Sequence, residues 1–343
     1  MRTTRIVPVF IPPRSCVSTC IACHILHGRA PAALWSSRPV EAFERAVMRR
    51  WNRSTAVEIG LYGNLLSLAP DAVGAILRRI SELVEGSERA KALRVVLRPD
   101  QIDPALLDTL RIVDELRVEL DVAGPAEAVV RRMGPVHRIE HLWQAATLLK
   151  REGIEWGAHI RPGLPHSSPD ADMESLDILR ALKPAFVRIL PTLVLRGTWL
   201  EREMIEGRFI PLTIRQAVNL CADMMNRLDE DGIAVARVGL QPVRDFGVEA
   251  DAVVGGPLHP SLRSVVESKR MYESALTHLE RMDWRRKKVR LHVGRGREHY
   301  MRGLEDFNLE RLRARFGMNA IEVHGDEGLC GSRVRVEVEE SSG

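Results

Sequence analysis

The residues of this chain best suited to chemistry stand close together near its start. Residues 15–23, Ser-Cys-Val-Ser-Thr-Cys-Ile-Ala-Cys, put Cys16, Cys20 and Cys23 in a C-x3-C-x2-C spacing. Thiols this close have four uses. A disulfide would take two and strand the third. Zinc takes four tetrahedral ligands; no second cysteine pair follows, but His24 and His27 could complete the set. A C-x-x-C redox pair at Cys20 and Cys23 gives Cys16 no part. A four-iron cluster on three thiolates uses all of them and keeps one iron open for a small chelating molecule.

The rest of the chain limits the setting. It has 343 residues, 45% of them hydrophobic, and a net charge of +4. That suits a large globular domain, or a large one with a small one, and not a disordered chain. No apolar run approaches a membrane span, so no membrane partner is expected. The N-terminal run Ile6–Ile11 is short and interrupted by proline, which reads as a first β-strand rather than a targeting signal. Five cysteines, an odd number, do not make a secreted disulfide scaffold, and a reducing cytoplasm is the expected compartment. From Arg281 to Arg302 there are nine Lys or Arg against two acids. Such a run is either a solvated basic surface or a phosphate-facing patch.

The elements that must position the cysteines follow a rhythm. Expected strands are Ile6–Ile11, Ala56–Leu61, Leu93–Leu97, Leu116–Val122, Trp156–Ile160, Phe186–Leu190 and Ile233–Val238. Between them the expected helices are Val40–Trp51, Asp71–Glu85, Pro104–Val113, Ile139–Arg151, Asp170–Leu182 and Ile214–Asp229, with Asp170 and Thr213 as caps. Alternating strands and helices predict βαβ units and a parallel sheet, closed as a barrel or partial barrel, or less favourably doubly wound. The cysteines then follow the first strand, at the C-terminal mouth where such barrels keep their chemistry. The expected organisation is a barrel over 1–250, a connector over 251–282 and a small basic α+β domain over 283–343. In that last part the expected elements are strand Lys288–Val293, helix Asn308–Phe316 and strands Ala320–His324 and Arg333–Val338. Cys221 reads as a core residue, and Cys330 has no assigned part.

The cysteine spacing after a first strand resembles the cluster loop of the radical S-adenosylmethionine enzymes. Further segments are similar to one of their families, the Elongator catalytic subunits, in the bacterial branch without an acetyltransferase domain. They are I-V-P-V-F-I-P at Ile6–Pro12, L-R-P-D at Leu97–Asp100, V-E-L at Val118–Leu120 and R-P-G-L-P at Arg161–Pro165. Then come F-V-R-I-L-P-T-L-V-L-R-G-T at Phe186–Thr198, P-L-T-I-R-Q-A-V at Pro211–Val218, R-V-G-L-Q-P at Arg237–Pro242 and G-G-P-L-H-P at Gly255–Pro260. The tail adds R-G-x4-N-L at Arg302–Leu309.

This resemblance implies an α/β fold: a partial (β/α)6 barrel of the radical S-adenosylmethionine type with a small C-terminal α+β domain. It implies a 4Fe–4S cluster on Cys16, Cys20 and Cys23, S-adenosylmethionine on its open iron, and a 5′-deoxyadenosyl radical as the oxidant. An external electron donor of the flavodoxin or ferredoxin type would feed the cluster, and the basic C-terminal domain could meet tRNA. Cofactor contacts are expected from Tyr62, Gly63 and Asn64 after the second strand, and from Arg98, Glu119, Arg161 and Gly163 at the mouth. His159 and Arg188 could line the barrel. Gln241 is the candidate residue near substrate. Acetyl transfer is not expected, since the chain after 283 is too short for that domain.

Several positions depart from the family pattern. Val17 and Ala22 stand in the cluster loop where the family has proline and an aromatic residue. Tyr62 replaces a glycine, Asp121-Val122-Ala123 replaces Gly-Val-Gln, and His166 replaces another glycine. The competing expectation is therefore a non-catalytic iron–sulfur or zinc protein acting as an RNA-binding or assembly module. Oligomeric state is left open by the sequence.

Overall fold

The computed structural model describes residues 5–11, 38–49, 57–63, 65–85, 90–124, 138–240, 252–282, 287–318 and 320–340. Cys16, Cys20, Cys23, Asn64 and Gln241, with His24 and His27, lie outside the described residues. Seven strands form one sheet: β1 (Arg5–Ile11), β2 (Val57–Gly63), β3 (Ala90–Leu97), β4 (Glu115–Ala123), β5 (Glu155–Ile160), β6 (Phe186–Ile189) and β8 (Ala234–Val238). Their order in space is their order in the chain, and every neighbouring pair is parallel. A doubly wound sheet reverses its strand order at a switch point, and this one does not. Crossovers that all step the same way with the same hand put their helices on one face and curl the sheet into a half-barrel.

Those crossovers carry α1 (Pro39–Met48), α2 (Pro70–Glu85), α3 (Pro104–Leu110), α4 (Ile139–Arg151), α5 (Pro169–Leu182), α6 (Trp199–Ile205) and α7 (Ile214–Glu230). Apolar residues such as Phe43, Ile80, Leu142 and Leu176 are buried on them. The sheet offers a matching face, on which Val9, Leu61, Val95 and Val118 stand in register and are buried. The other face is different. It carries Glu58, Arg94, Glu119, His159 and Arg188, one from each of β2 to β6, and the first four are nearly inaccessible. A parallel sheet packed on both sides reads as unbroken apolar runs. The alternation here therefore marks one face for helices and the other for the interior of the half-barrel.

Room for those charges is made by a missing side chain. Gly157 on β5 pairs with Glu119 on β4 and with Phe186 on β6. A Cβ on Gly157 would overlap the Phe186 ring. With none there, the ring lies beneath Arg94 and Arg188, whose guanidinium carbons are 5.0 and 5.8 Å from its centroid. Cation–π contact adds to what the carboxylates supply.

The described residues fall into two compact units. The first runs to Ala217 and includes Ile233–Leu258, hence the half-barrel; the second takes Val218–Gly232 and His259 onward. The first unit also holds β7 (Val194–Leu195) and β9 (Val253–Gly255), an antiparallel pair. In the second unit α8 (Leu262–Leu279), α9 (Glu298–Arg302) and α10 (Phe307–Phe316) accompany a three-stranded sheet. Its order is β11 (Ile321–Asp326), β10 (Lys287–Gly294), β12 (Val334–Glu340). Met271, Ala275, Leu291, Met301, Leu312 and Ile321 are among its core. The stretch 251–282, expected as a connector, holds β9 and α8, and from His259 it clusters with the second unit.

Local chemistry explains where elements start. Thr213 caps α7 as expected: its Oγ1 accepts the Gln216 N–H at 3.2 Å, and Gln216 Oε1 accepts the Thr213 N–H at 2.9 Å. Asp170 does not cap α5. Ser168 does, accepting the Ala171 N–H at 3.2 Å. Pro169 takes the first helical position and holds the residue before it extended, which moves the cap two residues upstream. Helix α3 ends at Leu110, earlier than the expected Val113, because Arg111 leaves helical dihedrals.

Candidate functional site

The interior face is organised around Glu119, which stands in the middle of β4 and is fully buried. Arg94 Nη1 donates to its Oε1 at 2.7 Å. Arg188 donates from Nε to Oε2 at 2.7 Å and from Nη2 to Oε1 at 2.8 Å. His159 Nε2 also bonds its Oε2. Burial alone would raise the Glu119 carboxyl; the bond and charge of His159, then those of Arg188, overcome this and hold it well below the ordinary carboxylate range. Arg94 reaches on to Glu58, 2.9 Å from Nε and 3.2 Å from Nη2. Arg188 Nη2 donates to the Tyr62 hydroxyl at 3.3 Å, and the guanidinium carbon lies 5.6 Å from the centroid of the Tyr62 ring. Burial raises the Tyr62 phenol, against the pull of Arg188. Arg237 on β8 stands in register with Arg188, and burial, then the like charge of Arg188, lowers it. Five strands, β2 to β6, are thus tied by one set of charge-assisted bonds.

A second group lies at the C-terminal ends of the strands. Gly63 closes β2 beside Ile11, the last residue of β1. Its φ is +107°, and a Cβ would run into the Ile11 carbonyl oxygen, so only glycine fits there. Arg161, just past β5, places Nη2 2.8 Å from Oδ2 and 2.7 Å from Oδ1 of Asp121 on β4. The Thr192 amide donates to Pro162 O at 2.9 Å, while its buried hydroxyl has no hydrogen-bond partner among the described residues. Asp172, in the first turn of α5 and 3% exposed, accepts the Gly163 N–H at 2.8 Å and the Ser167 hydroxyl at 2.6 Å. Burial pushes its carboxyl up to about 6, opposed by those two bonds.

The sequence-expected residues divide accordingly. Gly63, Arg161 and Gly163 come to the ends of β2 and β5. Arg98 follows β3, where Nε and Nη2 bond Asp100 at 2.9 and 3.0 Å. Tyr62 and Glu119 belong to the interior network, with His159 and Arg188. Sequence reasoning missed Glu58, Arg94, Phe186, Arg237 and Asp172. Among the described residues no three His, Cys, Asp or Glu side chains are grouped to hold a metal. Of the described cysteines Cys221 is buried, as expected for core, and Cys330 is exposed. The bare backbone at Gly63 and the unpartnered Thr192 hydroxyl fit a polar cofactor at the mouth.

Residues 184–272 match the family described as the Radical_SAM C-terminal domain. That match takes in β6 to β9 and part of α8. The chain has more particular relatives. It is 29% identical to the tRNA uridine(34) acetyltransferase of Dehalococcoides mccartyi over 186 residues, 53% of this chain and 39% of that protein. It is 28% identical to human Elongator complex protein 3 over 159 residues, 44% of this chain and 29% of that protein. It shares its fold with the archaeal Methanocaldococcus infernus Elp3, with a TM-score of 0.63 and 18% identity over 80% of this chain and 64% of that one. The chain spans well under half the length of these curated relatives. Among the described residues no helix is long and apolar enough to cross a membrane.

Two outcomes follow from the electrostatics. Glu119→Ala leaves Arg94 and Arg188 without a shared carboxylate and costs about 3–5 kcal/mol in urea denaturation; a loss below about 1 kcal/mol would show the network to be dispensable. The Asp172 carboxyl is raised from 3.8 to about 6 on folding. Its stabilising contribution is complete below the unfolded value and is lost as pH rises through the folded one. Relative to Asp172→Asn, the wild type should lose stability on the order of 2–3 kcal/mol between about pH 4 and pH 6. A pH-independent difference would contradict the burial argument.

Proposed function

We propose that this chain is a radical S-adenosylmethionine enzyme acting on RNA. Cys16, Cys20 and Cys23 would hold a 4Fe–4S cluster. When bound, that cluster supplies the electron that splits S-adenosylmethionine and yields the 5′-deoxyadenosyl radical that takes a hydrogen atom from substrate. One observation carries the reading. β1 is an edge strand of the half-barrel, it ends at Ile11 beside Gly63, and Cys16 follows five residues later in the chain. The chain thus leaves the sheet at the C-terminal end of β1, beside the glycine that only bare backbone satisfies, and the three cysteines come next in sequence.

The chain's own residues have separable tasks. Gly63 and Thr192 offer backbone and hydroxyl to the cofactor, and Arg161, fixed by Asp121, sets the wall beside them. The Glu119 network keeps the strands in register so that these ends stay together. Gln241, after β8, is the proposed residue near substrate. An electron donor of the flavodoxin or ferredoxin type would serve the cluster.

RNA is favoured by the names of the relatives. The basic run from Arg281 adds less than its composition suggests. Lys288 and Arg290 lie 2.6 and 3.3 Å from Glu322, and Arg297 lies 2.9 Å from Glu267. Arg302 lies 3.1 Å from Asp306, and Arg295 pairs with Glu327. Phosphate attraction from this run would rest chiefly on Arg281, Arg285, Arg286 and Lys287, of which Arg285 and Arg286 lie outside the described residues.

Anaerobic reconstitution with iron and sulfide, then dithionite and S-adenosylmethionine, tests the proposal. The expected product is 5′-deoxyadenosine, formed several-fold faster with tRNA present and abolished by Cys20→Ala. A cluster that forms without cleavage would favour the non-catalytic reading, and stoichiometric zinc with no cluster would overturn the proposal.

A further inference from the structure

The segment 161–167, between β5 and α5, is Arg-Pro-Gly-Leu-Pro-His-Ser. Its two prolines donate no backbone hydrogen bond, so little of the segment can pair with itself. One internal bond is present, Ser167 N–H to Leu164 O at 3.0 Å. His166 holds a φ of 64°, left-handed and unfavourable for a residue with a Cβ. Such a conformation persists only where its surroundings over-determine it. Asp172 supplies the constraint. One carboxylate oxygen takes the Gly163 N–H at 2.8 Å and the other takes the Ser167 hydroxyl at 2.6 Å, so a single buried side chain clamps both ends of the turn. It does so from the first turn of a helix capped by Ser168, where the backbone dipole favours a carboxylate. On its other side the segment is bonded through Pro162 O to the Thr192 amide, and Arg161 is held by Asp121.

We propose that Asp172 is a positioning residue: it latches the 161–167 segment, and so fixes the wall of the barrel mouth against which S-adenosylmethionine binds. The latch itself stands on the bonds above, while its use for a ligand rests on the proposed function. Asp172 touches neither cofactor nor substrate in this account; it acts through Gly163 and Arg161.

Hydrogen–deuterium exchange of the purified chain reads the latch without any ligand. In a peptide covering 160–168, Asp172→Ala should exchange about tenfold faster than wild type, Ser167→Ala about threefold faster, and Asp172→Asn within about twofold. Peptides from β2 to β4 should not change. Equal exchange in wild type and Asp172→Ala, or acceleration spread across the whole half-barrel, overturns the latch; if Asp172→Ala does not fold, Ser167→Ala decides in the same way. Equilibrium binding of S-adenosylmethionine to the anaerobically reconstituted protein reads the positioning. Affinity should fall about tenfold in Asp172→Ala, about 1.4 kcal/mol, and return in Asp172→Asn. A loosened segment with unchanged affinity overturns the positioning role. Wild type that binds no S-adenosylmethionine sinks the proposed function and the ligand half of this inference, while the exchange result still decides the latch.

Discussion

Glu119 is a carboxylate with no contact with water, in the centre of a parallel sheet. Taking it there is expensive, and the expense is met only because Arg94, His159 and Arg188 converge on its two oxygens from three other strands. The geometry of that convergence is strict. Arg188 uses two donors on one carboxylate, and Arg94 must bridge Glu119 and Glu58 together. Any slip of β3, β4, β5 or β6 would strand a buried charge. Apolar packing on the helix side tolerates small shifts; this network does not.

From that constraint the mouth follows. Asp121 lies two residues beyond Glu119 on the same face of β4, and Arg161 lies two residues beyond His159. Fixing the register at Glu119 and His159 therefore brings Asp121 and Arg161 into contact. Tyr62 links the same network to β2, one residue before Gly63 and the end of β1. The glycine that the sequence resemblance leads one to expect at position 62 would leave Arg188 without its Tyr62 ring and hydroxyl partner. The tyrosine side chain is instead taken up by the interior network and need not disturb the bare backbone at Gly63.

Much of this was legible in the sequence. The alternation of apolar strands with helical stretches fixed a parallel sheet, and the half-barrel follows from strand order. Thr213 with Gln216 read correctly as a helix start. The cap at Asp170 did not, because Pro169 outranked it. The buried network was missed for a physical reason: Glu119 meets Arg94 and Arg188 across 25 and 69 residues, which no local pattern reports. A signal was nevertheless present. V-E-I, L-R-V, V-E-L, A-H-I, V-R-I and A-R-V each set one ionisable residue between two apolar ones, in six successive strands of the sheet. An ionisable residue recurring at the centre of parallel strands marks an interior polar face. β7, β9 and α6 escaped because elements of two, three and seven residues are too short to show a period.

The account depends most on the three cysteines that continue the chain from β1. Electron paramagnetic resonance of the anaerobically reconstituted, dithionite-reduced protein tests this directly. The account predicts the signal of a reduced 4Fe–4S cluster whose line shape changes when S-adenosylmethionine is added, as an open iron requires. It predicts no such signal from Cys16→Ala, Cys20→Ala or Cys23→Ala. A cluster signal indifferent to S-adenosylmethionine, or one that survives loss of any of the three thiols, would contradict it.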